Sequence, residues 1–150
     1  MSVNRDFQDL FSALNTEGAE FLVVGAYALA VHGAPRFTKD LDLWVNATPD
    51  NAQRVWAALQ AFGAPLSAIR PEDLAEPNIV LQLGVAPSRI DLLTSIDGVE
   101  FLAAWEHRIT SRYGDQPVWI LGRTELLQNK QATGRAQDAL DAETLLRLKP

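Results

Sequence analysis

Between Phe21 and Val45 the chain reads FLVVGAYALAVHGAPRFTKDLDLWV, and this stretch limits the possible folds more than any other. Phe21 to Val24 reads as a short buried strand, which Gly25 interrupts. Ala26 to Val31 has helical character and is closed by Gly33 and Pro35. Thr38 to Val45 then reads as a second strand. Because strand side chains alternate between faces, Leu41, Leu43 and Val45 share one face, while Asp40, Asp42 and Trp44 share the other. Two carboxylates so close together repel, and a protein tolerates such a pair most easily in water or around a cation. A third aspartate, Asp91, sits in a similar apolar frame, Arg89-Ile90-Asp91-Leu92-Leu93. If that strand lies beside the first, three carboxylates converge and form a site for a hard divalent metal.

The remaining elements are consistent with a mixed α and β chain. Phe7, Leu10, Phe11 and Leu14 fall at helical spacing, in a helix ending before Gly18. Thr48-Pro49-Asp50 marks a helix start, with a capping hydroxyl, a proline in the first turn and an acid near the positive dipole end. That helix carries Val55, Trp56, Leu59 and Phe62 and stops at Gly63. Arg70 to Glu76 is a loop or short helix. Ile79 to Leu83 and Arg89 to Leu93 form a plausible hairpin across Gly84 and Pro87. Phe101 to Ile109 is expected to be helical, and Pro117 to Leu121 to be a last strand at a sheet edge. Thr124 to Lys130 and Ala136 to Leu148 make a C-terminal helical pair broken at Gly134. With 150 residues and no internal repeat or linker, one domain over 1–150 is expected.

Composition narrows the chemistry. The chain has no cysteine, which removes disulfides and thiolate metal sites, and only two histidines, so any metal would be held by oxygen. A formal net charge of −6 argues against a broad nucleic-acid-binding surface. The N-terminus shows no signal peptide, and the longest apolar run is too short to span a bilayer, so a soluble cytoplasmic protein without membrane contact is expected. Trp44, Trp56, Trp105 and Trp119 read as core. His32 reads as a structural histidine, and His107 carries no signal.

Val24-Gly25-Ala26, Asp40-Leu41-Asp42 and Ile90-Asp91-Leu92 together resemble the signature of the small nucleotidyltransferases of the DNA polymerase β superfamily, particularly the minimal, AbiEii-toxin-like branch. Arg36-Phe37-Thr38-Lys39-Asp40 is similar to that branch's R-x-T-x-D lead-in. Asn129-Lys130 through Gly134-Arg135, with Asp138 to Asp141, is similar to its C-terminal helices. The resemblance covers nearly the whole chain. It implies an α+β fold of the polymerase β-like type, a small mixed sheet flanked by helices.

The resemblance also implies an activity: Mg²⁺-dependent transfer of a nucleoside monophosphate from an NTP such as ATP to an acceptor hydroxyl. Asp40, Asp42 and Asp91 would be the catalytic carboxylates and would hold two Mg²⁺ ions, with Mn²⁺ as the alternative. Gly25 and Ala26 would present backbone N–H groups to the phosphates. Arg36, Thr38, Lys39 and Lys130 would be further nucleotide contacts; alternation puts Thr38 on the carboxylate face and Lys39 on the other. Lys130 and Arg135 have a simpler role open to them, ion pairing with Asp138 or Asp141 at helical spacing. The acceptor is left open among a tRNA end, a protein hydroxyl and a small molecule. A toxin–antitoxin setting, with a cognate antitoxin or a homo-oligomer as partner, is equally open.

One position departs from the signature. Ala26 stands where Gly or Ser is usual; it keeps the backbone N–H, adds a methyl and supplies no hydroxyl. The alternative reading is therefore a catalytically silent nucleotide-binding or interaction module of the same fold. A dinucleotide-binding domain is disfavoured, because VVGAYALAVHG lacks G-x-G-x-x-G and the chain lacks a regular βα alternation.

Overall fold

The computed structural model describes residues 3–34, 40–85 and 87–148. Its elements are α1 (Arg5–Thr16), β1 (Phe21–Val24), α2 (Gly25–Val31), β2 (Asp40–Val45), α3 (Pro49–Phe62), a 3-10 turn (Pro71–Ala75), β3 (Val80–Leu83), β4 (Arg89–Leu93), α4 (Phe101–Glu106), β5 (Ile109–Tyr113), β6 (Gln116–Ile120), α5 (Arg123–Ala132) and α6 (Ala136–Arg147). The strands form one six-stranded mixed sheet in the order β3-β4-β2-β1-β6-β5. Pairing is antiparallel for β1–β2, β3–β4 and β5–β6, and parallel for β2–β4 and β1–β6.

Side-chain caps start α1 and α3. The Asn4 side chain accepts hydrogen bonds from the backbone N–H groups of Asp6 and Phe7, capping α1 at 2.9 and 3.2 Å. Phe7, Leu10, Phe11 and Leu14 then form the buried stripe of α1, which packs on α3 and β6. Thr48 caps α3 through Asn51 N–H, Pro49 opens its first turn, and Gly63 closes it in the left-handed conformation, φ +89°.

Asn51 ties this helix to the sheet. Its Oδ1 accepts from Glu20 N–H at 2.7 Å, and its Nδ2 donates to the carbonyls of Asn46 and Glu20 at 2.9 and 3.1 Å. The start of β1 and the end of β2 are thereby fixed to one buried side chain.

The two faces of β2 are packed differently. Leu41 and Leu43 are fully buried with Ile90 and Leu92 of β4. On the other face Trp44 packs edge-on against Phe101 of α4 at 5.0 Å, and Trp105 stacks on Phe101 at 5.6 Å. Trp44 is almost completely buried, while Trp56, Trp105 and Trp119 are half-buried against the same core.

Two sequence expectations need correction. The helix beginning at Phe101 ends at Glu106, and Ile109 opens β5. Residues 109–113 alternate Ile, Ser and Tyr with Thr and Arg, and pair with β6 across a tight Gly114-Asp115 turn. Secondly, the strand carrying Pro117 is not an edge strand, because β6 lies between β1 and β5. The proline is tolerated because β6 meets β1 at Val23↔Ile120, beyond Pro117. Pro117 also keeps its acceptor satisfied, its carbonyl taking a 2.9 Å hydrogen bond from Asn15 Nδ2. Among the described residues no helix is long and apolar enough to cross a membrane.

Candidate active site

The register of the central strands decides which polar side chains meet. Val24, Asp42, Asp91 and Gln82 lie in one row across β1, β2, β4 and β3. One pleat away, Asp40 pairs with Arg89. Since i and i+2 share a face, Asp40, Asp42, Arg89 and Asp91 all project from the same side of the sheet. Each of the two strands contributes from a frame whose alternate residues are buried, and this fixes the register.

Gly25 follows β1 and opens α2 beside Asp42 with φ +69°, a conformation that disfavours any side chain. Space excludes one as well. A Cβ on Gly25 would strike the Asp42 carboxylate, passing 3.1 Å from Cγ and closer still to Oδ2. The strand-to-helix turn therefore brings bare backbone against the carboxylate. Ala26 follows, nearly buried, at the first turn of α2.

A cleft of about 280 Å³ opens from this turn, running from Gly25, Ala26 and Asp42 to Lys130, Thr133 and Arg135 on α5 and the loop after it. Lys130 is almost fully buried. Its Nζ donates to Asp138 Oδ1 at 2.8 Å and approaches Asp141 Oδ2 at 3.2 Å. Asp138 also accepts from Thr133 Oγ1 at 2.7 Å and pairs with Arg135 Nε at 3.0 Å. Burial alone would raise the Asp138 pKa, but the Lys130 and Thr133 hydrogen bonds hold it below its ordinary value. Lys130 is thus ion-paired with Asp138 and Asp141, as one sequence reading had it, and it also lines the cleft.

The electrostatics concentrate on Asp42. Burial first, then the charges of Asp91 and Asp40, push its pKa up to about 6, against the opposing pull of Lys130 and Arg89. Asp91 is held otherwise. Arg89 grips it with both arms of its guanidinium, Nε to Oδ1 at 3.3 Å and Nη2 to Oδ2 at 3.1 Å. The reasoning from sequence passed over this residue, although its position two before Asp91 on a strand already puts it on the carboxylate face.

The three aspartates are hard oxygen donors on adjacent strands, a donor set that suits Mg²⁺ and disfavours softer metals. Among the described residues, however, no three acidic or imidazole groups are gathered closely enough to hold an ion as they stand. Arg36, Thr38 and Lys39, expected to contact the nucleotide, lie outside the described residues. His32 Nε2 lies 2.8 Å from the Leu121 carbonyl, which can only accept, so that nitrogen carries the proton and the ring serves as a structural tie. His107 Nδ1 lies 3.0 Å from Glu125 Oε2, outside the cleft.

The six-stranded mixed sheet with its flanking helices is the polymerase β-like nucleotidyltransferase fold, and solved nucleotidyltransferase structures superimpose on it. A candidate nucleotidyltransferase from Thermotoga maritima matches with a TM-score of 0.64 at 13% identity, over 95% of this chain and 91% of its own. The lincomycin-bound lincosamide antibiotic adenylyltransferase LnuA matches with a TM-score of 0.59 at 13% identity, over 99% of this chain and 100% of its own. The antibiotic-resistance factor ANT(2'')-Ia matches with a TM-score of 0.61 at 10% identity, over 95% and 81%. At these identities the likeness establishes the fold. No protein-family profile and no curated protein matches the sequence.

Proposed function

We propose that this protein is a metal-dependent nucleotidyltransferase that moves a nucleoside monophosphate from an NTP, ATP among them, to an acceptor hydroxyl. The observation that carries the reading is the register Asp42↔Asp91 with Gly25 packed against Asp42. In the reaction the acceptor oxygen forms a bond to the α-phosphorus while the bond to the bridging oxygen breaks, and pyrophosphate leaves. Asp40, Asp42 and Asp91 would hold Mg²⁺, or Mn²⁺ in its place. When bound, the ions supply positive charge that neutralises the triphosphate and lowers the pKa of the attacking hydroxyl. Gly25 and Ala26 offer backbone N–H groups to phosphate oxygens. Lys130 adds a cation to the same cleft, and Arg36, Thr38 and Lys39 remain nucleotide contacts within the proposal.

For the acceptor we favour a small hydroxylated molecule, because LnuA is an antibiotic adenylyltransferase and ANT(2'')-Ia an antibiotic-resistance factor. A tRNA end or a protein hydroxyl, either of which would suit a toxin held in check by a cognate antitoxin, is the outcome that would redirect the acceptor assignment. Incubation with α-labelled NTP, Mg²⁺ and a cell lysate should label one acceptor class. The same assay should fail with Asp40→Asn combined with Asp42→Asn. Undiminished transfer by that folded double variant would refute the carboxylate assignment.

Ala26 supports a second reading, a silent nucleotide-binding module. Calorimetry separates the two. Tight Mg²⁺–NTP binding without label transfer to any acceptor favours the silent module.

A further inference from the structure

Arg89 is a strong cation on the carboxylate face, and its position there is specific. Its side chain is 39% exposed while that of Asp91 is 15% exposed, so it reaches in from solvent to clamp a largely buried carboxylate. Both Asp91 oxygens are engaged, at 3.3 and 3.1 Å. Its backbone register partner is Asp40, so the guanidinium sits within the field of all three acids. A metal that takes an Asp91 oxygen must therefore compete with a two-armed, charge-assisted pair. Free metal offers Arg89 nothing in return. A metal arriving with a triphosphate brings anionic oxygens to which a planar guanidinium pairs equally well.

We propose that Arg89 couples metal binding to nucleotide binding: it occupies Asp91 until a metal–triphosphate arrives, then transfers its hydrogen bonds to the phosphates. This inference rests on the metal site proposed above, and it accounts for the finding that the three carboxylates are not gathered into a ready ion cage. Arg89 is on this view a positioning residue that makes the site selective for the metal–nucleotide complex over free metal.

The test is Mn²⁺ titration of the purified protein, read by calorimetry and by the electron paramagnetic resonance of free Mn²⁺, with and without a non-hydrolysable NTP analogue. Charge-assisted hydrogen bonds of this kind contribute about 1.5–3 kcal/mol, so Arg89→Gln should tighten nucleotide-free Mn²⁺ binding by about tenfold to a hundredfold. The gain in Mn²⁺ affinity that the analogue produces in the wild type should shrink in that variant. Arg89→Lys, which keeps the charge and loses the fork, should fall between the two, and it serves as the folded control if Arg89→Gln melts early. Unchanged or weaker Mn²⁺ binding in folded Arg89→Gln, with coupling to the analogue intact, would overturn the role of Arg89 and leave the metal site standing. Absence of Mn²⁺ binding in wild type and variants alike, with or without the analogue, would overturn both.

Discussion

Asp42 faces Asp91 across β2–β4 and lies two residues from Asp40 along β2, and with burial this raises its pKa from 3.8 to about 6. The folded chain therefore retains a proton through a pH range in which the unfolded chain releases it. The Asp42 contribution to stability is most favourable below that range, falls as pH rises from 3.8 to about 6, and stays low above it. The metal-free protein, unfolded by urea in EDTA across this range, should show that decline. Asp42→Asn carries no charge to lose; it should flatten the decline and leave the protein more stable above about pH 6, by on the order of 2–3 kcal/mol. A wild-type curve that rises with pH would contradict this. The aspartates themselves were legible in the sequence because alternation on a short apolar strand fixes their face. The clamp on Asp91 was not, because an arginine in a strand reads equally well as a solvated charge until its partner is in place.

At the scale of elements, several boundaries were written in local chemistry: the cap at Thr48, breaks at Gly25 and Gly63, alternation in β2 and β4. The segment from Phe101 to Ile109 shows where that ends. Its apolar content suits a helix, but from Ile109 onward pairing with β6 offers a full ladder of hydrogen bonds, and the long-range partner decides. Asn51 is another case. In the sequence it is an ordinary residue in the first turn of a helix, yet it joins α3 to both β1 and β2. Asn51→Ala would leave the Glu20 N–H and the Asn46 carbonyl without this partner, while the Glu20 carbonyl keeps the Asn46 N–H at 3.3 Å. Each such buried group costs about 1–3 kcal/mol. With partial rescue by water, the expected loss is about 2–3 kcal/mol, read as a lower urea midpoint with an unchanged slope. A midpoint within error of the wild type would show that the clamp contributes nothing.

Over the whole molecule, the order of elements along the chain was readable except for β5, while the order of strands in the sheet had to come from the structure. Sequence places β2 and β4 as separate apolar frames, and only the parallel crossover sets Asp42 against Asp91. That crossover also shapes how the chain reaches its native state. The β3–β4 pair is a local hairpin, and β1 and β2 are joined through the short α2, so both antiparallel units can form early; the parallel seam between them must wait for loop closure. Repulsion between Asp42 and Asp91 is thus felt only when the two halves of the sheet dock. Added monovalent salt, by screening like charges, should speed refolding in stopped-flow experiments in EDTA, and the acceleration should shrink in Asp42→Asn. Equal acceleration in both proteins would place the docking step elsewhere. The carboxylates proposed to hold a cation would on this view also be a kinetic brake on the chain's own assembly.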